Sequence, residues 1–451
     1  MPQLLTIIGL FAFFLLIGYA KREYLIGLCL LFAPAYVLRL EINPFPLLGR
    51  LPTTLLEILL LALFVLSLPR CMATIKPAHL ARTIKQPEVL LPLALLSIAS
   101  LQLWVSPDRL AALGIFRAYF LEPILFYLII KEECSQPQTY RLIRIALLGS
   151  MLWVSLLGIA QYLFGFGLQE AVTGSDRSRI LSIFNTPNAL GLYLGPLIAY
   201  FLPSLLSTRP GRPQQSTLPA HEAAFSWTAA GVSLLAVVLS LSRGAWLGLV
   251  AAGVVCMLIM HGKKAILPLL VSLTLCIVAL LLFVPRFQNF FTPTGNPRDL
   301  FGDNSANVRV AIWQRTVHML GDAPLTGAGL AGFQTVYARY DVPGHEEIPL
   351  YPHNIFLNLW SELGLTGLLL FTVLIAYFAC RSWMIWKTNA QKEPERTTLG
   401  FLLFITALVV HGLLDVPYFK NDLSLIFWTI FGIQTSIFRM QAPAGNSSTR
   451  L

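Results

Sequence analysis

The chain has 451 residues, of which 56% are hydrophobic and 12% are charged, and its mean hydropathy is +0.69. Because soluble domains carry about a quarter charged residues, this composition excludes a water-soluble enzyme and indicates a membrane protein that crosses the bilayer many times. The net charge of +10 does not indicate nucleic-acid binding, since the cytoplasmic loops of membrane proteins collect Lys and Arg. The six cysteines are scattered without ligand-like spacing, so we expect no metal site.

Apolar runs long enough to cross a bilayer follow one another along most of the chain. At about 20 residues per span, they predict an all-α polytopic membrane protein with about 12 to 13 transmembrane helices. The runs lie near residues 3–20, 24–40, 51–69, 87–104, 110–130, 141–164, 186–206, 225–241, 244–260, 264–284, 353–379, 399–416 and 423–438.

Most Lys and Arg residues fall in one alternating set of loops, which the positive-inside rule assigns to the cytoplasm. The other set then faces outward and includes a long stretch without any span-length run. The sequence therefore predicts transmembrane helices 1–10 over residues 1–284, a mostly helical extracytoplasmic loop domain over 285–352, the C-terminal helices over 353–438 and a cytoplasmic tail over 439–451.

His353 and Asn354 stand where the long outer loop becomes a span, after Pro352. A neutral imidazole at that position can accept a proton near pH 7. The alternative is an interfacial histidine that merely caps a helix. Gly364 and Gly367 follow on one face, in a spacing that close helix packing in membranes also uses.

Arg243 interrupts a continuous apolar stretch from about 225 to 260. Two spans and a turn need roughly 40 residues, so we expect the turn to be drawn in to the membrane boundary and Arg243 to be partly desolvated. Its fork of donors suits a phosphate oxygen. The alternative is an arginine that snorkels to the interface without a ligand.

Further charged residues lie on the same outer side. Arg177 and Arg179 precede the span that begins near 186, and Arg309 lies on a helical pattern that could follow the membrane surface. His411 and Asp415 are i, i+4 neighbours at the end of another span, and Lys420 follows. Asp415 could orient a catalytic histidine or hold an arginine; the alternative is a plain helix-end charge.

Glu57 and Arg117 lie within spans, each about 10 Å from an outer boundary at 1.5 Å per residue. Equal depth and opposite charge predict a structural ion pair, which is how such residues are usually tolerated in a membrane. Glu122 is a second acid at depth.

One base and several arginines on one face, without paired acids or metal ligands, suit an anionic, lipid-anchored substrate. The arginines would hold a diphosphate leaving group in the place of a metal ion, while the base activates a hydroxyl.

These residues resemble the O-antigen ligase and O-antigen polymerase superfamily of bacterial envelope glycan enzymes, over most of the chain from about residue 100 onward. The resemblance rests on His353-Asn354, nine residues and Gly364-Leu365-Thr366-Gly367, on Ser242-Arg243-Gly244-Ala245-Trp246, on Asn185-Thr186-Pro187-Asn188, on Pro324-Leu325-Thr326-Gly327-Ala328-Gly329 and on His411 to Asp415.

The resemblance implies a GT-C-like, inverting, metal-independent glycosyltransferase without a cofactor, in the bacterial inner membrane and with its active site on the periplasmic face. It would move a glycan from an undecaprenyl diphosphate carrier to the hydroxyl of a lipid-linked or glycan acceptor. His353 would be the general base. The donor-binding arginines would be Arg243, Arg309, Arg177 and Arg179, and the supporting residues Asp415, Asn354, His411 and Lys420.

Other readings stay open. Ligase, polymerase and protein O-oligosaccharyltransferase share these motifs, and the superfamily also contains a bicarbonate-type transporter branch. Transport would have to use the deep charges Glu57, Arg117 and Glu122, because transport sites lie near the membrane midplane. A carrier needs no base at the membrane surface, so His353 favours the enzyme.

Overall fold

A computed structural model describes residues 2–42, 51–74, 83–167, 179–207, 219–268, 270–271, 305–340, 348–389 and 393–440. Nearly all of the described chain is helical. In chain order the α-helices are α1 (Pro2–Ala20), α2 (Arg22–Leu31), α3 (Leu55–Thr74), α4 (Pro87–Val105), α5 (Arg109–Phe116), α6 (Glu122–Glu133), α7 (Pro137–Phe164), α8 (Pro187–Ser207), α9 (Ala220–Leu239), α10 (Arg243–His261), α11 (Ser305–Asp322), α12 (Phe333–Tyr337), α13 (Ile355–Asn389), α14 (Glu393–Gly412) and α15 (Asn421–Met440).

Eight helical stretches in the described residues are long and apolar enough to cross a membrane, and shorter apolar helices cover Thr6–Ala20, Leu55–Pro69 and Arg396–Gly412. A multi-pass, helical membrane protein is therefore confirmed. The predicted span near 24–40 is wrong, because α2 has only ten residues, about 15 Å, and the chain continues as a 3₁₀ helix, Ala33–Val37. Most of the predicted run at 264–284 lies outside the described residues.

Helix α14, whose last residues include His411, packs against α8, α10 and α13. Small residues let the backbones approach closely, as is common between membrane helices. A Cβ on Gly248 would come within 2.8 Å of the Ala407 carbonyl, and one on Gly400 would overlap the Tyr200 carbonyl. The end of α14, which carries His411, is thereby fixed against three neighbouring helices.

One short element departs from the predicted all-α class. Strands β1 (Arg39–Ile42) and β2 (Leu51–Thr54) pair antiparallel, with Arg39 opposite Thr54. Thr54 then caps α3 reciprocally with Glu57: the Thr54 N–H donates to the Glu57 carboxylate (3.2 Å), and the Glu57 N–H donates to the Thr54 hydroxyl (3.2 Å). This capping box fixes the carboxylate at the start of the helix.

The predicted ion pair is confirmed. An Arg117 guanidinium nitrogen lies 2.6 Å from Glu57 Oε1, and Arg117 Nε lies 3.6 Å from Glu122 Oε1. Arg117 also begins a π-helical turn, Arg117–Leu121, between α5 and α6. Such a turn leaves carbonyls without their usual partners, and the Tyr418 hydroxyl donates to the carbonyl of Tyr119 (2.8 Å).

We expect either half of the ion pair to depend on the other. Glu57→Gln and Arg117→Met should each lower the free energy of unfolding by roughly 1 to 3 kcal/mol. The loss should be smaller than for a fully buried pair, because the Arg117 side chain is 44% exposed. A glutamine at position 57 can still cap α3. Thermal unfolding in detergent measures this, with exposed Lys264→Met as the control. Strictly additive losses in the double variant would contradict a direct interaction.

Candidate active site

Helix α13 is broken at Gly364, whose backbone (φ 69°, ψ 176°) is not helical. The broken end is bound by the loop after α11: the Leu365 N–H donates to the Pro324 carbonyl (3.1 Å), and the Trp360 indole donates to the same oxygen (2.7 Å). A Cβ at position 364 would overlap the Leu325 carbonyl. Gly364 therefore allows a helix break and a close approach of the loop, and the helix-packing interpretation is wrong for it.

Asn354 fixes the start of the first half of α13. Its side-chain oxygen accepts hydrogen bonds from the N–H groups of Phe356 (2.9 Å) and Leu357 (3.1 Å), as an N-cap residue does. Its amide nitrogen donates to the Leu413 carbonyl in the loop after α14 (3.2 Å). Asn354 thus joins the two segments that carry His353 and the predicted acid.

His353 lies between an acid and an aromatic ring. Its Nδ1 is 3.7 Å from Asp415 Oδ1, and its ring centroid is 4.7 Å from that of Tyr351. The backbone of His353 is left-handed (φ 50°), a strained conformation that is concentrated at functional sites. The distance from Nδ1 to Oδ1 exceeds that of a hydrogen bond, but such contacts are often long without substrate. This ring orientation directs Nδ1 to Asp415 and leaves Nε2 available to accept a proton.

The charge state of Asp415 suits this role. Burial alone would raise the pKa of its carboxyl, but the neighbouring imidazoles of His353 and His411 and the Val416 N–H hold that pKa below its usual range. Burial and the Asp415 charge both raise the pKa of the Tyr351 phenol. At neutral pH the acid is therefore ionised and the phenol protonated, so the carboxylate can stabilise a positive imidazole.

Arg309 reaches the same place from helix α11. The Trp313 indole donates to the Pro352 carbonyl (2.8 Å), which ties α11 to the residue before His353. Arg309 lies one turn earlier on the same helix face, within electrostatic reach of Tyr351 and His411. Its Nε is buried and has no hydrogen-bond partner among the described residues, as expected of a group that binds an anion.

The turn before α10 closes the site from another side. Arg243 is the first residue of α10, and a Cβ on Gly244 would overlap the imidazole of His411. The predicted turn is confirmed, whereas partial desolvation of Arg243 is not, because its side chain is exposed. The first N–H groups of a long helix attract anions, so Arg243 and this helix end can act on one ligand.

The remaining predicted residues have different positions. Arg179 donates to the Ser240 carbonyl (3.0 Å) and to the Asn188 side chain (3.2 Å), which joins the start of α8 to the turn before α10. Arg177 lies outside the described residues. Lys420 lies farther along the loop, where its charge acts on Asp422.

Sequence reasoning missed two aromatic residues of the site, Tyr351 and Trp313. The only sequence signal for Tyr351 was its proximity to His353, and the only one for Trp313 was its position one turn after Arg309. Among the described residues, no three His, Cys, Asp or Glu side chains form a cluster that could hold a metal ion.

Comparison with known proteins finds a similarity in the central part of the chain. Residues 228–372 match the family model described as O-antigen ligase. This segment is therefore similar to the O-antigen ligase family. It contains Arg243, Arg309 and His353, whereas Asp415 follows it. A Rickettsia conorii protein with the provisional name polysaccharide ligase is 34% identical over 77 residues, which cover 16% of this chain and 19% of that relative.

We expect Asn354→Ala to lower the free energy of unfolding by about 1 kcal/mol, because the cap of α13 is lost. Asn354→Ser keeps a capping oxygen but loses the bond to Leu413, so it should retain most of the stability. Thermal unfolding of both variants in detergent compares them. Equal destabilisation by Ala and Ser would show that the cap contributes nothing.

Proposed function

We propose that this protein is a membrane glycosyltransferase that moves a glycan from an undecaprenyl diphosphate carrier to an acceptor hydroxyl, on the periplasmic face of the bacterial inner membrane. The observation that carries the proposal is the arrangement of His353 against ionised Asp415, with half-buried Arg309 within electrostatic reach. The O-antigen ligase family of residues 228–372 supports the same class of reaction.

In the proposed reaction, Nε2 of His353 takes the proton of the acceptor hydroxyl while its oxygen attacks the anomeric carbon of the donor sugar. The bond from that carbon to the diphosphate oxygen breaks, and the diphosphate leaves with the electron pair. One displacement inverts the anomeric configuration. Asp415 stabilises the imidazolium that forms, in the manner of other acid-oriented histidines.

The leaving diphosphate gains negative charge, which cations positioned beforehand can stabilise. Arg309 and Arg243, with the N-terminal end of α10, are the groups we assign to this task. Arg179 we assign to positioning instead, because it donates to Ser240 and Asn188 at the turn that carries Arg243. We propose no metal ion in this step.

Ligase, polymerase and protein O-oligosaccharyltransferase remain alternatives that differ only in the acceptor. Transport of an inorganic anion is less well supported, because Glu57, Arg117 and Glu122, the deep charges that it would need, are joined in ion pairs.

The decisive experiment is incubation of the purified protein with an undecaprenyl diphosphate oligosaccharide and candidate glycan, lipid-linked and protein acceptors, with and without a chelator. We expect transfer to one acceptor class, unchanged by the chelator. His353→Ala should lower the rate by at least about 100-fold, as loss of a general base does, while the protein still inserts and unfolds at the wild-type temperature. Anion uptake by reconstituted vesicles without any transfer would overturn the proposal.

Arg309→Ala should weaken donor binding by roughly tenfold or more, because a charge-assisted bond to phosphate contributes about 1.5 to 3 kcal/mol. Thermal unfolding should change little. Arg339→Ala removes an exposed arginine from the same outer region and serves as the control. The measurement is the donor KM at saturating acceptor, and an unchanged KM in Arg309→Ala would remove this residue from the diphosphate site.

A further inference from the structure

Three half-buried tyrosines from distant parts of the chain, Tyr36, Tyr119 and Tyr351, lie in the neighbourhood of His353. Tyr351 contacts the His353 ring, and the ring of Tyr119 contacts that of Phe419 (6.1 Å between centroids), in the loop that carries Asp415. Tyr36 in the 3₁₀ helix and Tyr119 in the π turn belong to elements that both pack against α15. The hydroxyls of Tyr119 and Tyr351 act electrostatically on that of Tyr36, as do the charges of Arg39 and buried Asp422. None of the three phenols has a role in the proposed diphosphate site.

The hydrogen bonds and ion pairs described above hold these residues in place. Arg39 pairs across the strands with Thr54, which shares a capping box with Glu57. Glu57 in turn holds Arg117, the first residue of the π turn that carries Tyr119. The cluster is thus organised without any ligand, which lowers the entropic cost of binding one.

The cluster contacts the base through Tyr351. Tyr351 packs edge-on against the His353 ring, 4.7 Å between centroids, whereas the helix end with Arg243 is reached through His411. In a single displacement the attacking oxygen and the leaving group lie on opposite sides of the reacting carbon. A base must therefore meet the acceptor on the side away from the diphosphate.

The chemistry of the cluster fits a sugar that carries an acidic group. Aromatic ring faces are electron-rich and stack on the C–H faces of pyranose rings, and phenol hydroxyls exchange hydrogen bonds with sugar hydroxyls. The planar fork of Arg39 matches a carboxylate or phosphate. Resting on the proposed function, we propose that Tyr36, Arg39, Tyr119 and Tyr351 form the acceptor subsite and that it selects an acidic glycan.

Saturation-transfer NMR on the full-length protein in detergent tests this subsite without requiring turnover. The probes are methyl glucuronide and methyl glucoside, with saturation applied to aromatic protons. We expect transfer to the pyranose C–H protons, stronger for the glucuronide. Tyr36→Leu and Tyr119→Leu should abolish it, Tyr36→Phe should retain it, and Arg39→Gln should equalise the two sugars.

Tyr162→Leu is the matched control, because Tyr162 is an exposed tyrosine outside the cluster. In the transfer assay, the same Tyr36→Leu variant should raise the acceptor KM by roughly tenfold, the effect of one aromatic contact, at an unchanged donor KM. A wild-type protein that transfers glycan but shows no saturation transfer, or keeps it in both Leu variants, overturns the subsite alone. A wild-type protein without transfer overturns the proposed function instead.

Discussion

The architecture depends on one constraint: inside a bilayer, every backbone N–H and carbonyl needs a partner within the protein. A helix can therefore break only where other groups bind the exposed backbone. Gly364 breaks α13 where the Pro324 carbonyl receives the next N–H, and the π turn lies where the Tyr418 hydroxyl reaches the Tyr119 carbonyl. Tyr119, one of the proposed acceptor residues, lies in the π turn, and His353, the proposed base, lies just before the first half of α13.

The same constraint explains how a strained histidine is held. The left-handed backbone of His353 costs free energy of order 1 to 3 kcal/mol, so the surrounding contacts must fix it. Asn354 binds the helix after it and the loop that carries Asp415, and Trp313 binds the carbonyl before it. The backbone of His353 is therefore fixed from both sides, and a small shift of the side chains would bring Nδ1 of His353 within hydrogen-bond distance of Asp415.

The amount that the sequence could predict differs from one element to another. The Glu57–Arg117 pair followed from depth alone, because a membrane leaves few other ways to tolerate a charge. The turn at Arg243 could be predicted from span length, but the exposure of the Arg243 side chain depends on how the neighbouring helices pack. The short strands after Tyr36 carry too few residues for a periodic signal, and the contact of Asp415 with His353 joins positions that only the packing of α14 against α13 brings together.

The segment that matches the O-antigen ligase model, residues 228–372, holds the proposed base and both proposed diphosphate ligands, but it is incomplete as a site. Asp415, the proposed partner of the base, lies after it, and the tyrosines of the N-terminal elements lie before it. Stabilisation of the leaving charge requires that the charged side chains be fixed to a fraction of an ångström. Recognition of a sugar face, by contrast, tolerates different aromatic side chains. A chain built in this way can keep its donor chemistry in one segment and change its acceptor through residues 36–39 and the π turn, provided that the Glu57–Arg117 pair keeps those two elements together.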